Sequence, residues 1–152
     1  MDAHNYLVDW AINFYKNKDA FTKKIVSIEK NKNGFDFLIK YKDKEQFVTA
    51  VPTLSVDSVL PKFSNDKSYS IVALNSTENF KELMKNWKKL AEFKLLSIVF
   101  CNPFSNTDKK WMIFPHTHDK ISDHASLELV LKSMFEMVEQ INEQALVSSI
   151  KN

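Results

Sequence analysis

The chain has 152 residues, of which 44% are hydrophobic and 26% are charged, and its formal net charge is +2. A chain of this length with a high apolar fraction and a small net charge is typical of one globular domain, which excludes a disordered protein. No apolar run reaches the ~20 residues that a membrane-spanning helix needs, and the N-terminus lacks the pattern of a secretory signal peptide. The single cysteine, Cys101, allows no internal disulfide and is typical of a reducing compartment. We therefore expect one domain over residues 1–152, located in the cytoplasm and without a membrane partner.

The first part of the chain predicts a helix followed by three antiparallel strands. Apolar residues recur at three- and four-residue steps over residues 2–16, which is the pattern of an amphipathic helix with Asp2 as its N-cap. Asn33-Gly34 is a strong hairpin signal, because both positions accept positive φ. Residues 35–41 alternate between apolar and polar side chains, as in a half-buried strand. Together with residues 25–28 and 46–51, they predict a three-stranded meander.

The second half predicts a strand–helix–strand crossover. Residues 69–74 and 95–101 are apolar without alternation, which is typical of strands that are covered on both faces. Between them, Asn75 and Glu78 have the spacing of a capping box, and residues 80–91 carry a helical apolar stripe. This order favours two adjacent, central, parallel strands joined by a right-handed connection.

The C-terminal part predicts a short strand at residues 111–114 and one long helix from about residue 125. The predicted fold class is therefore mixed α/β, with an N-terminal helix, a three-stranded antiparallel meander, a strand–helix–strand crossover, a further strand and a long C-terminal helix around one mixed sheet. The apolar stripe of the long helix includes Leu131, Met134 and Val138. This stripe packs either on its own sheet or on a second copy of the chain, and we expect a homodimer from the second arrangement.

The densest group of metal-ligating side chains lies between residues 116 and 124. His116 and His118 point to the same side if the segment is extended, and Asp123 and His124 follow. Histidine and carboxylate groups are ligands for zinc or manganese. The cluster resembles the HxHxDH motif of metallo-β-lactamase-like hydrolases, although Asp123-His124 comes five residues after His118. A metal-dependent hydrolase is therefore one alternative, and the other is a helix cap at Asp123 or Ser122 with surface histidines and no cofactor.

The distribution of charge predicts a basic surface. All 21 basic residues are lysine, and lysine offers a point charge instead of the planar fork with which arginine reads a guanine edge. Six residues form a candidate nucleic-acid-binding face, on which lysines contact phosphates beside an aromatic ring: Lys85, Lys88, Lys89, Lys109, Lys110 and Trp111. A solvated helix face without a ligand is the alternative interpretation.

Cys101 ends a predicted central strand, where ligands often bind in open α/β sheets. A nucleophilic cysteine needs a base within hydrogen-bond reach, and His116 or His118 is the candidate. The alternative is an inert buried thiol. With Gly34 as its single glycine, the chain offers neither a glycine-rich phosphate loop nor the nucleophile elbow of a serine hydrolase.

The order of the elements resembles the core of the PD-(D/E)XK, or restriction-endonuclease-like, nuclease superfamily over about residues 1–115. The part from residue 69 onward looks like the second half of its Holliday-junction resolvase-type members. Members place an Asp on one strand and Glu-x-Lys on the next, where the carboxylates hold a divalent metal and the lysine steadies the attacking water. Here Asp36 matches the lone Asp, Glu45 lacks the lysine that should follow it, and Ala73-Leu74-Asn75 stands at the expected place of Glu-x-Lys. The resemblance implies a nuclease-like fold with a degenerate site and no catalytic residue.

The layout is also similar to that of class I type III secretion chaperones, homodimers that hold unfolded effector segments. This chain differs from them in the extra strand at residues 69–74 and in its basic pI of about 8.5. The function expected from the sequence is a non-catalytic binding domain with a restriction-endonuclease-like core that contacts nucleic-acid backbone or a protein partner. The alternatives are a metal-dependent hydrolase and a dimeric chaperone-like module.

Overall fold

A computed structural model describes residues 1–151 and contains one six-stranded mixed sheet. The strands lie side by side in the order in which they occur along the chain: β1 Ile25–Lys32, β2 Phe35–Tyr41, β3 Glu45–Val51, β4 Ser68–Leu74, β5 Leu96–Cys101 and β6 Lys110–Ile113. Strands β1 to β3 form an antiparallel meander. Strands β3, β4 and β5 are parallel to one another, and β6 runs antiparallel to β5.

Helices cover both faces of this sheet. Their bounds are α1 Ala3–Lys18, α2 Val56–Val59 (followed by a 3₁₀ turn at Leu60–Lys62), α3 Thr77–Lys85, α4 Trp87–Ala91, α5 Pro115–Ile121, α6 His124–Glu136 and α7 Glu143–Lys151. Helices α1 and α7 pack on one face, which we call the α1 face. Helices α2, α3, α4 and α6 pack on the opposite face, which we call the α4 face. No helix within residues 1–151 has both the length and the apolar character needed to cross a bilayer.

The predicted fold class is confirmed, and so is the position of the two apolar strands. Strands β4 and β5 are adjacent, parallel and central, with Tyr69 paired to Leu96 and Leu74 paired to Cys101. All residues of β5 are buried, and in β4 only the first residue is partly exposed. The hairpin between β1 and β2 turns at Asn33 (φ 54°) and Gly34 (φ 82°), as the sequence predicted.

The predicted cap of the helix after β4 is wrong by one residue. Ser76 is the N-cap, because its hydroxyl accepts the backbone N–H of Asn79 at 3.1 Å. Asn75 is instead buried and joins three elements. Its Oδ1 accepts the indole N–H of Trp111 at 2.7 Å, and its Nδ2 donates to the carbonyl oxygens of Phe135 and Val138 at 3.1 and 2.9 Å. The predicted single helix over residues 80–91 is also divided, since α3 ends at Lys85 and α4 begins at Trp87.

The C-terminal region is helical as predicted, but two helices replace one long one. Helix α6 ends at Glu136, and Val138 forms a parallel bridge with Asp108 beside the sheet. The Nδ2 of Asn102 donates to the carbonyl of Glu139 at 3.0 Å, and Asn142 then accepts the N–H of Ala145 at the start of α7. The side chains of Leu131 and Val138 are buried against the chain's own sheet. The stripe that suggested a homodimer therefore packs within the chain, and the homodimer stays a prediction.

Candidate functional site

The two histidines of the predicted metal site lie on helix α5 and not on an extended segment. Pro115 starts the helix, and residues two apart on a helix point in different directions. The Nδ1 of His116 is 2.8 Å from the carbonyl oxygen of Ala91, and the Nδ1 of His118 is 2.9 Å from that of Phe114. Each ring therefore bonds to a different part of the backbone.

The other two residues of the predicted metal site have different positions and partners. Asp123 is the N-cap of α6, with Oδ1 accepting the N–H of Ser126 at 2.9 Å and Oδ2 accepting its hydroxyl at 3.1 Å. His124 is the first residue of that helix and is exposed. Among residues 1–151, no three His, Cys, Asp or Glu side chains are grouped so that they could hold a metal ion. The structure thus does not bring His116, His118, Asp123 and His124 together, and Asp123 has the capping role that was the alternative.

The lysines of α3 and α4 lie on the outside of the α4 face. Lys88 extends into solvent with 82% of its side chain exposed and reaches Asp119 at 3.1 Å. Lys89 is 59% exposed and reaches Asp57 at 3.3 Å. Exposed ion pairs of this kind contribute little free energy, so both ammonium groups can exchange their carboxylate for another anion. Lys85 is exposed at the last turn of α3.

The remaining three residues of the predicted basic face are elsewhere. Trp111 is buried and stacks on Phe100 with ring centroids 4.7 Å apart, so it offers no ring to a nucleic-acid base, and that part of the prediction is wrong. The Nζ of Lys109 donates to the carbonyl of Pro103 at 3.2 Å. The Nζ of Lys110 lies 5.8 Å from the ring centre of Phe14, on the α1 face. The sheet therefore separates Lys110 from the lysines of α4.

Asp36 occupies the point at which strands β2 and β3 separate. The regular pairing of the two strands ends at Phe37 and Val48. Beyond it, Asp36 Oδ2 accepts the backbone N–H of Ala50 at 2.7 Å and is 3.4 Å from the hydroxyl of Thr49. Its Oδ1 pairs with the Nε2 of His4 from α1 at 2.7 Å. The carboxylate thus links the first helix to the divergence of the strands.

The other acidic residue considered for a nuclease site is distant from Asp36. Glu45 is the first residue of β3, where it pairs with Lys40 at the far end of β2. It lies four residues before Thr49, which at the rise of a strand is roughly 13 Å. Ala73 and Leu74 lie on β4, which is separated from β2 by β3. Residues 73–75 therefore do not lie beside Asp36, and the residues that contact its carboxylate from the next strand are Thr49 and Ala50.

Cys101 has no access to solvent. It lies on the α1 face of the core, and burial raises the pKa of its thiol well above the usual value. The ring of His116 bonds to the carbonyl of Ala91 at the end of α4, on the opposite face, so the predicted pairing of thiol and imidazole is not formed. Cys101 has the properties of the inert buried thiol that was the alternative.

One group of basic side chains could not be predicted from the sequence. Lys18, Lys24 and Lys44 line a cavity of about 260 Å³ together with Tyr41. The excess of lysine in this region is visible in the sequence, but the three residues come from the end of α1, the loop after it and the turn between β2 and β3. Their proximity depends on the packing of the β2–β3 turn against the loop after α1, which the linear sequence does not indicate.

No protein-family model matches this chain, and neither a curated protein nor a solved structure matches it significantly.

Proposed function

We propose that this chain is a non-catalytic binding domain with a restriction-endonuclease-like core, and that it contacts the phosphate backbone of nucleic acid. The observation that carries the proposal is the environment of Asp36. This residue stands on one strand of the meander, and the adjacent segment of the next strand reads Thr49, Ala50 and Val51. A nuclease of the superfamily would have a carboxylate and a lysine in that segment.

The sheet supports this comparison. An antiparallel meander leads into two further parallel strands, and helices cover both faces. The helix that precedes the meander contacts the candidate site through His4. In an active nuclease of the superfamily, the same arrangement of one helix and two strands would hold the metal ligands.

The side chains around Asp36 favour a binding function without metal-dependent cleavage. A divalent metal takes several oxygen ligands, and Asp36 is the single carboxylate among His4, Asp36 and residues 49–51. Both oxygens of Asp36 already accept hydrogen bonds, from His4 and from Ala50. Thr49 offers one hydroxyl, and Val51 offers no group that could steady an attacking water.

We infer the class of ligand from the lysines of the α4 face. Lys85, Lys88 and Lys89 are exposed, and lysine contacts phosphate as a point charge. The chain has no arginine and its Trp111 is buried, so the side chains that read or stack on bases are not supplied by this surface. We therefore expect binding that depends on phosphate charge and not on nucleotide sequence.

A salt titration of binding to labelled duplexes of two unrelated sequences tests this proposal. Fluorescence anisotropy should give similar affinities for both duplexes, and log K should fall linearly with log salt at about 0.9 per phosphate contacted. The double variant Lys88→Glu/Lys89→Glu should lower affinity on the order of tenfold and reduce the slope by about 2. Lys30→Glu/Lys32→Glu, which makes the same change of charge at two exposed residues of β1, is the matched control and should bind as the wild type does. No binding at low salt, or equal losses in both variants, would overturn the proposal in favour of a protein partner.

A further inference from the structure

The loop after α1 is folded around one carboxylate. Asp19 follows the last residue of the helix, and its Oδ1 and Oδ2 accept the backbone N–H groups of Lys24 and Ile25 at 2.8 and 3.0 Å. The hydroxyl of Thr22 donates to the same carboxylate at 3.0 Å. These bonds lower the pKa of Asp19 although desolvation opposes them. The Asp19 carboxylate is consequently hydrogen-bonded within its own loop, and the backbone of Lys24 is held beside the end of the helix.

The turn between β2 and β3 is joined to this loop. The N–H of Lys42 donates to the carbonyl of Lys24 at 2.9 Å, and the N–H of Tyr41 donates to the carbonyl of Lys44 at 2.8 Å. The ammonium of Lys44 lies 5.2 Å from the ring centre of Tyr41. The bond between Lys42 and Lys24 therefore holds the turn against the loop, and the cavity is lined by residues of both.

We propose that this cavity binds a phosphoryl group through Lys18, Lys24 and Lys44, with the hydroxyl of Tyr41 as a further donor. The site goes beyond the function proposed above, because it uses neither the lysines of the α4 face nor Asp36. The cavity has a volume of about 260 Å³, which is sufficient for a phosphate or a diphosphate group.

The charges around the cavity favour an anion. Within residues 1–151, none of the three lysines forms an ion pair with a carboxylate. Partial burial lowers the pKa of Lys18, and the positive charges of Lys110 and Lys44 lower it further. Burial raises the pKa of Tyr41 to about 12, with smaller contributions from Tyr15 and Asp19, so the hydroxyl remains a donor. An anion would relieve the repulsion among the ammonium groups.

Two acidic residues also line the cavity and limit its affinity. Asp19 keeps its charge, which is shared among the backbone N–H groups of its own loop, the hydroxyl of Thr22 and the positive charge of Lys24. Asp43 is exposed at the tip of the turn. Three lysines against two carboxylates give a small positive excess, which favours a ligand with two or more negative charges over a monovalent anion. Phosphate and diphosphate groups have this charge, and they occur both in nucleic-acid backbone and in free phosphorylated molecules.

Titration of ¹⁵N-labelled protein with sodium pyrophosphate tests the site, with sodium chloride of equal ionic strength as the reference. The amide signals of Lys24, Tyr41 and Lys44 should shift and saturate with pyrophosphate but not with chloride. Lys44→Gln should raise the dissociation constant by about fivefold. Lys18→Gln should act similarly, and it provides a second test should the Lys44 variant disturb the turn. Lys132→Gln is the matched control and should leave the dissociation constant unchanged.

A second experiment distinguishes the two possible sources of the phosphoryl group. If the site takes nucleic-acid backbone, an oligonucleotide should shift the same three amides and compete with pyrophosphate. If it takes a free phosphorylated molecule, the oligonucleotide should leave these amides unmoved while pyrophosphate still binds. The Lys88→Glu/Lys89→Glu protein should retain pyrophosphate binding, so failure of the function proposed above leaves this test intact. Shifts that do not saturate, or that are equal in all variants, would overturn the inference.

Discussion

The carboxylate of Asp36 accepts the backbone N–H of Ala50 at 2.7 Å, at the point where β2 and β3 separate. Ala50 is fully buried, so its N–H would otherwise have no partner on this side of the strand. The second oxygen of the same carboxylate pairs with His4 at 2.7 Å. The Asp36 carboxylate thus has a structural role that can be measured.

Asp36→Ala should lower the free energy of unfolding by about 2 kcal/mol, because it leaves the buried N–H of Ala50 without an acceptor. Urea denaturation followed by circular dichroism measures this change. Glu45→Ala is the matched control, since Glu45 is an exposed carboxylate at the other end of the meander, and its effect should be within about 0.5 kcal/mol. Equal effects of the two substitutions would mean that the bond to Ala50 contributes nothing to stability.

Asn75→Ala should be more destabilising, by about 3 kcal/mol, because it leaves several buried polar groups unpaired at once. The indole N–H of Trp111 and the carbonyls of Phe135 and Val138 lose their partner. Chemical denaturation gives the stability, and tryptophan fluorescence reports the change around Trp111. The control is Asn13→Ala at an exposed position of α1, which should be nearly neutral. A small change for Asn75→Ala would show that water replaces the lost bonds.

The stability of the α4–α5 contact should depend on pH through Asp119. Hydrogen bonds from the indole of Trp87 and from Lys88 hold the pKa of Asp119 below its ordinary value of 3.8. A carboxyl group whose pKa is lower in the folded state stabilises the fold above its unfolded pKa, and this contribution is lost as the pH falls through the folded value. Wild type should therefore exceed Asp119→Asn in stability above about pH 4, and the difference should vanish toward pH 2. Thermal unfolding at a series of pH values measures it, and a difference independent of pH would contradict the assignment.

The regular parts of the fold could be predicted because they depend on local patterns. Continuous apolar runs identify β4 and β5, and the Asn33-Gly34 turn fixes the first hairpin. The break between α6 and α7 had no such signal, because it depends on Asn75 and Asn102 binding the carbonyls of Val138 and Glu139 from distant parts of the chain. In such a case tertiary hydrogen bonds override a helical pattern.

The candidate site was predicted only in part for the same reason. Asp36 was recognised from its place in the meander, but its neighbours depend on the register between β2 and β3. That register puts Thr49 and Ala50 beside the carboxylate, whereas the linear order of the elements predicts residues 73–75 in that place. An extended segment would put His116 and His118 on one side, but Pro115 begins a helix there.

A single assay tests whether this protein binds nucleic-acid backbone and whether it leaves the strand uncleaved. A labelled duplex is incubated with the protein at low salt in magnesium or manganese, and anisotropy and strand length are read from the same sample. We expect salt-sensitive binding to an intact strand in wild type and an unchanged strand with Asp36→Ala and with Glu45→Ala. Cleavage that survives both substitutions would indicate a contaminating nuclease. Metal-dependent cleavage that Asp36→Ala abolishes while the variant remains folded would contradict the proposal that the protein binds without cleaving.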